Sequence, residues 1–212
     1  KEMLPERGTG PEGKKRWLDV GCGLGYLMDV AFDQGFQVHG VEFNRSAIRY
    51  IQSKFTYPVE YGLVQELTFD GTFDVISLFD VIEHMEDPAG ALRHLRGIVA
   101  PPAVCVIQTM DSDSLMSRLI GKRLEDFRRT REHLYFFTRR SITRMLNETG
   151  WEVLDIRFVG HTFQIRDLIK RISVYGNWIE RLAQALVHPR WLLEANVYFN
   201  PGVKMMVYAR PN

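Results

Sequence analysis

The stretch Leu18-Asp-Val-Gly-Cys-Gly-Leu-Gly-Tyr26 decides the fold of this chain. An apolar run that starts at Trp17 ends in three glycines, Gly21, Gly23 and Gly25, and a helical pattern follows from Tyr26. Glycine lets the backbone turn tightly and approach a ligand, because it has no Cβ atom. Open α/β sheets bind ligands at the carboxyl ends of their strands, so this loop is a candidate binding site.

Strand and helix signals alternate along the rest of the chain. The predicted strands cover residues 17–20, 36–43, 59–64, 73–79, 103–110, 151–159 and 203–210, and the predicted helices cover 26–34, 44–55, 88–99 and 138–150. This alternation predicts an α/β fold with a doubly wound, mostly parallel sheet that helices cover on both faces.

An acidic residue follows the glycines at a telling distance. Glu42 lies at the end of the second predicted strand, 21 residues after Gly21, where a carboxylate can accept hydrogen bonds from ribose hydroxyls. An adenosine-containing ligand is therefore predicted. A dinucleotide loop needs a small residue where this chain has Tyr26, and Asp19 would repel a pyrophosphate but suit a sulfonium or an ammonium. These two residues favour S-adenosylmethionine over NAD.

Composition sets wider limits. The chain has 212 residues with a net charge of +1, so no global field draws it to nucleic acid or to a membrane. The two cysteines, Cys22 and Cys105, form no disulfide framework, no apolar run is long enough to span a membrane, and no signal peptide is visible. A cytoplasmic location is predicted. Residues 1–16 are typical of a linker or a truncated N-terminal extension, and residues 17–212 are expected to form one domain.

Four stretches carry a resemblance to a known family: Leu18–Leu27, Val41–Asn44, Phe73–Pro88 and Glu132–Gly150. Together they resemble the class I S-adenosylmethionine-dependent methyltransferases, and in particular the group that includes the ubiquinone-biosynthesis O-methyltransferases. The resemblance implies a seven-stranded sheet with an antiparallel last strand. It also implies a set of cofactor-binding residues: Asp19, Gly21, Cys22, Gly23, Gly25, Tyr26, Leu27, Glu42, Phe43, Leu63, Val64, Phe79 and Asp80.

Two positions depart from the family pattern. Leu63 stands where relatives often carry an aspartate near the adenine amino group, so that contact is expected to pass to backbone groups near Val64. Ala100-Pro-Pro-Ala103 replaces a Lys-Pro-Gly-Gly turn before the fifth strand. Neither change is expected to alter the chemistry.

Methyl transfer needs orientation more than it needs a base, because the sulfonium is already a good leaving group. If a general base takes a hydroxyl proton, His133 is the first candidate and His84 the second; the alternative for each is a structural hydrogen bond. Asp80, Glu83, His84 and His133 also resemble the metal-binding set of small-RNA 2′-O-methyltransferases. We nevertheless expect no metal requirement.

Two further segments bear on partners. The first is an insertion at 112–132, and it overlaps a basic stretch at 118–140 that contains eight Lys/Arg and three acidic residues. This stretch suits either a small anionic acceptor or a solvated surface, and nucleic acid is not expected as a partner. Residues 163–196 are predicted to form a helical lid or interface, whose apolar part at 163–187 could pack as core, form a homodimer or touch a membrane surface.

The predicted function is thus methyl transfer from S-adenosylmethionine to a small-molecule acceptor, with a hydroxyl as the acceptor group. A metal-assisted RNA 2′-O-methyltransferase and an NAD-dependent reductase are the alternative enzymes. A binding module that keeps the fold without catalysing transfer is the alternative outside enzymes.

Overall fold

The computed structural model describes residues 13–120, 132–166 and 193–212. The strands are β1 Arg16–Val20, β2 Gln37–Glu42, β3 Val59–Tyr61, β4 Phe73–Phe79, β5 Val99–Met110, β6 Trp151–Gln164 and β7 Asn196–Pro211. The helices are α1 Tyr26–Asp33, α2 Arg45–Lys54, α3 Pro88–Gly97, α4 Leu115–Ile120 and α5 Arg139–Glu148, and two short 3₁₀ turns cover Val64–Glu66 and Ile82–His84.

The strands form one seven-stranded sheet in the order β3-β2-β1-β4-β5-β7-β6. Strands β1 to β5 pair in parallel, and β7 pairs antiparallel with both β5 and β6. The predicted fold class, a mostly parallel sheet with an antiparallel last strand, is confirmed. The chain winds outward from β1 to β3 and then returns to β4 on the other side of β1. A crevice for a ligand therefore opens at the carboxyl ends of β1 and β4.

Local sequence signals explain where the helices begin. The Asn44 side chain accepts hydrogen bonds from the N–H groups of Ser46 and Ala47 and caps α2. Thr138 and Ser141 form a reciprocal capping box at the start of α5. Capping of this kind satisfies backbone donors that a helix leaves without partners, so these starts were predictable from sequence.

The core lies against the sheet. Trp151 is fully buried and its indole N–H donates to the carbonyl of Leu92, which ties β6 to α3. A second cluster, containing Met28, Ala31 and Ile51, packs α1 and α2 near β2. These contacts fix the strand ends that carry the glycine loop and Glu42.

Strands β6 and β7 are longer than predicted. They pair as far as Gln164 with Asn196, so both ends of the segment predicted to be helical, 163–196, belong to strands. Each strand supplies the backbone hydrogen bonds of the other, which outweighs the weak local propensity of these residues. The central part of the predicted lid and interface, 167–192, lies outside the described residues.

The predicted insertion at 112–132 begins with the short helix α4, and its residues 121–131 lie outside the described part. Residues 1–12 of the predicted linker also lie outside it. Among the described helices, none combines the length and apolarity that a membrane crossing needs.

Candidate functional site

The glycine loop after β1 has the tight, left-handed turns that its glycines predict. Gly21, Gly23 and Gly25 have φ angles of 69°, 55° and 80°. A Cβ atom on Gly21 would lie 2.4 Å from a Val81 methyl group, which leaves no room for a larger residue. The N–H groups of Gly21 and Cys22 donate to the carbonyl of Val41, so β2 holds the loop in place.

Glu42 binds the same loop through its side chain. One carboxylate oxygen accepts the N–H of Gly23 at 2.9 Å, and the other accepts the N–H groups of Phe43 and Asn44 at 2.9 and 2.8 Å. The residue is 7% exposed and lines the cleft. A carboxylate offers about four acceptor directions, so capacity remains for a ligand hydroxyl. Glu42 therefore both orders the loop and faces the cleft.

Asp19 lies buried at the end of β1. Its carboxylate accepts a 2.6 Å hydrogen bond from the Ser77 hydroxyl, and that hydroxyl in turn accepts the indole N–H of Trp17. Burial raises the pKa of Asp19 to about 7, which the Ser77 hydrogen bond opposes and the charge of Glu42 reinforces. A cationic ligand nearby would favour the ionised form.

A cleft of about 910 Å³ opens over these strand ends. Its lining contains six carboxylate residues: Glu42, Glu66, Asp80, Glu86, Asp87 and Glu132. Among the described residues that line it there is no lysine or arginine. Such a field suits the sulfonium and ammonium of S-adenosylmethionine and opposes the pyrophosphate of NAD. The residues present therefore fit the predicted cofactor.

The end of β4 forms one wall of the cleft. Asp80 has a φ angle of 55°, and no other non-glycine residue in the described ranges has a positive φ. Its carboxylate pairs with the Lys204 ammonium at 2.5 Å and accepts a 3.3 Å hydrogen bond from the Gln108 amide. Sequence reasoning missed Lys204 and Gln108, because both reach Asp80 from strands distant in sequence.

The two candidate bases lie together at the far end of the cleft. His84 is exposed and lines the cleft, whereas His133 is buried beside it, with ring centroids 4.7 Å apart. The Nδ1 atom of His84 lies 2.7 Å from the carbonyl oxygen of Glu132. Because a carbonyl only accepts, Nδ1 carries the hydrogen, and in neutral His84 the Nε2 atom is the acceptor.

Glu83 is buried beside the two histidines and accepts a hydrogen bond from the Thr109 hydroxyl. Burial is the main cause that raises the pKa of its carboxyl. Ligand atoms of Glu83, His84 and His133 lie within 4.8 Å of one another and could hold a divalent cation. Asp80, the fourth member of the set considered from sequence, is instead paired with Lys204.

The predicted cofactor residues fall into two groups. Six of them line the cleft: Gly21, Glu42, Phe43, Leu63, Val64 and Asp80. The others, Asp19, Cys22, Gly23, Gly25, Tyr26, Leu27 and Phe79, surround or support it and are not part of its lining. The Cys22 thiol packs toward Met28 and Gly40 in the core, and Tyr26 is exposed at the start of α1. Their roles as cofactor contacts stay predictions.

Comparison with known proteins places this geometry in a family. A family model described as a methyltransferase domain matches residues 2–156. A ubiquinone biosynthesis O-methyltransferase of Psychrobacter arcticus is 29% identical over 67% of this chain and 61% of its own length. A probable S-adenosylmethionine-dependent methyltransferase of Mycolicibacterium smegmatis is 26% identical over 80% of this chain and 64% of its own. The chain thus spans about three fifths of the length of such relatives.

Solved structures share the fold. A SAM-dependent methyltransferase from Archaeoglobus fulgidus aligns with a TM-score of 0.64 at 20% identity, covering 93% of this chain and 86% of that one. Magnesium protoporphyrin IX methyltransferase from Synechocystis, solved with bound SAH, aligns with a TM-score of 0.59 at 15% identity over 94% of this chain and 75% of that one.

The family model covers most of the chain, and the loop, Glu42 and the acidic cleft fit the cofactor chosen from sequence. The prediction of S-adenosylmethionine over NAD is confirmed. The chain belongs to the S-adenosylmethionine-dependent methyltransferases.

Proposed function

We propose that this chain transfers the methyl group of S-adenosylmethionine to a hydroxyl group of a small molecule. The observation that carries the proposal is the continuity of one cleft. It runs from Gly21 and Glu42, which suit the nucleoside and methionine parts of the cofactor, to Asp80 and His84, where an acceptor can approach. Transfer of a group between two ligands needs one cavity that holds both of them with their reacting atoms close together.

Residues around the proposed cofactor end of the cleft each contribute a different contact to binding. Glu42 accepts a hydrogen bond from a ribose hydroxyl with its remaining acceptor capacity. Leu63 and Val64 border the cleft beyond β3 and give the adenine an apolar edge and backbone groups. Burial raises the pKa of Asp19 to about 7, so a cationic methionine part bound nearby would favour its ionised form and be stabilised by that charge.

The cofactor, when bound, supplies a methyl group on a sulfonium sulfur. The acceptor oxygen forms a new C–O bond as the C–S bond breaks, S-adenosylhomocysteine leaves, and the hydroxyl proton passes to a base. Holding the two reactants in line accounts for about 7–11 kcal/mol of the barrier. The rigid strand ends of β1 and β4 supply that alignment, and the contribution of a base is smaller.

The geometry favours His84 as that base. Its Nε2 atom is the acceptor nitrogen of a ring whose Nδ1 hydrogen is fixed by the Glu132 carbonyl, and the residue lines the cleft. His133, the first candidate from sequence, packs behind His84 and is not part of the cleft lining. Its role as base stays a prediction, and its position suits the support of His84.

The acceptor class rests on two supports. Several relatives are named ubiquinone biosynthesis O-methyltransferase, which favours a hydroxyl. The carboxylates of the described cleft lining favour a neutral or cationic acceptor. An anionic acceptor, left open from the basic stretch at 118–140, stays a prediction. The homodimer through 163–187 and the cytoplasmic location also stay predictions.

Two measurements test the proposal. Calorimetry compares S-adenosylhomocysteine with NAD, and only the first is expected to bind. Turnover is then followed as release of S-adenosylhomocysteine, with a panel of phenols, alcohols and amines as acceptors. Binding of S-adenosylhomocysteine with transfer to amines alone would contradict the hydroxyl assignment, and failure to bind it would contradict the whole proposal.

A further inference from the structure

Asp80 holds a backbone conformation that needs support. Its φ angle of 55° lies in the left-handed region, which non-glycine side chains disfavour. A residue of this kind persists only where its surroundings over-determine it, and such residues cluster at functional sites. The conformation lies at the end of β4, at the wall of the cleft.

Among the described residues, Lys204 makes the shortest polar contact with Asp80. The lysine lies on β7 opposite Met110 of β5 and Val159 of β6, and its side chain is only 16% exposed. Its ammonium lies 2.5 Å from one oxygen of Asp80. Gln108 adds two weaker contacts, since its carbonyl accepts the Asp80 N–H and its amide donates to the second carboxylate oxygen.

The conformation of Asp80 affects the glycine loop through the next residue, Val81. Val81 follows directly, and its methyl group fills the space where Gly21 has no Cβ atom. A shift of Asp80 would move Val81 against or away from Gly21. The contact therefore links β7 to the loop on β1, across the middle of the sheet.

We propose that Lys204 is a positioning residue, which holds Asp80 in its left-handed conformation and thereby keeps Val81 and the Gly21 loop in the shape that binds the cofactor. The proposal rests on the proposed function, because it assumes that the cofactor binds at this loop. Lys204 itself is not part of the cleft lining, so it acts through Asp80 and not by contact with the ligand.

The test is the affinity for S-adenosylhomocysteine of a Lys204→Met variant, which removes the charge and keeps an apolar stem. If the held conformation falls to about one tenth of the population, the apparent Kd rises about tenfold. Lys204→Arg, which keeps a cation in reach of the carboxylate, is expected to stay within about threefold of the wild type.

A matched control lies on the same strand. Arg210 pairs with Glu152 at the exposed end of β7, away from the cleft. Arg210→Met removes one ion pair from β7, as Lys204→Met does, but the Kd is expected to stay unchanged. Equal losses of affinity in both variants would mean a general weakening of β7 and would overturn the proposal.

If Lys204→Met does not fold in an otherwise wild-type chain, the same substitution is tested in an Asp80→Gly variant. In Asp80→Gly the positive φ is adopted without strain, so Lys204→Met is expected to change the Kd of that variant by less than about twofold. A tenfold loss that persists there would show that Lys204 does not act through Asp80. Unchanged affinity of Lys204→Met in an otherwise wild-type chain would overturn the role of Lys204 alone. A wild type that does not bind S-adenosylhomocysteine would overturn the proposed function as well.

Discussion

Glu42→Ala is the most direct perturbation of the cofactor end of the cleft. The change removes the acceptor that we propose for a ribose hydroxyl, together with the acceptor for three N–H groups, those of Gly23, Phe43 and Asn44. One hydrogen bond to a charged acceptor contributes about 1.5–3 kcal/mol. Loss of the ribose contact should therefore weaken S-adenosylhomocysteine binding by about 10- to 150-fold.

The same substitution should also lower stability. Three N–H groups that lose a charged acceptor cost about 3–9 kcal/mol where they stay dry, and much less where water from the cleft replaces the carboxylate. A domain of this size unfolds with about 5–15 kcal/mol, so the variant should fold and melt earlier, by about 2–4 °C for each kcal/mol lost. The sequence alone predicted the loss of affinity without this second effect.

Calorimetry with S-adenosylhomocysteine and a thermal melt are the assays for Glu42→Ala. Glu66→Ala is the control for charge, because it removes a carboxylate from the same cleft without touching the glycine loop, and it should change the Kd by no more than about threefold. Folded Glu42→Ala that binds within twofold of the wild type would refute the ribose assignment. An equal loss of affinity in Glu66→Ala would show that Glu42 acts only through the general negative charge of the cleft.

Three further predictions follow from the buried groups and the cleft. Burial raises the pKa of Asp19 in the folded state from 3.8 to about 7, so the folded state keeps a proton that the unfolded state releases. The free energy of unfolding, measured with urea, should therefore fall between pH 4 and pH 7. Asp19→Asn should remove this pH dependence, and an unchanged pH dependence in the variant would contradict the buried acid. If His84 is the base, His84→Ala should lower kcat on a hydroxyl acceptor by roughly 10²–10⁴-fold. If His133 only supports it, His133→Ala should mainly lower the melting temperature, and the reverse pattern would make His133 the base. EDTA should leave turnover unchanged; a loss that a divalent ion restores would assign a metal to Glu83 and the two histidines.

Sequence could predict the parts of the structure that depend on neighbours in the chain. The strand, glycine turn and helix around Gly21 follow from residues within nine positions, and Thr138 caps α5 as its side chain dictates. Glu42 was predictable because one helix and one strand, α1 and β2, fix its distance from Gly21. These signals located the part of the cleft where we propose that the cofactor binds.

The acceptor end depends on contacts that no local pattern encodes. Lys204 meets Asp80 across 124 positions, and neither residue carries a signal that names the other. The placement of His84 in the cleft lining and of His133 behind it depends on how two separate loops pack. The paired extensions of β6 and β7 are likewise stabilised by each other, so the apolar spacing near residue 163 favoured a helix where the structure has a strand.

The placement of β7 between β5 and β6 has a consequence for synthesis of the protein on the ribosome. Strand β6 emerges first but cannot join the sheet, because its one strand partner among the described residues is β7, which is made after it. Until β7 inserts, β5 offers an open edge to other nascent chains, and the cleft lacks the lysine that holds one of its walls. A message cut short before residue 196 would thus yield a chain that contains the glycine loop without Lys204 to position it, and this chain would be prone to aggregate.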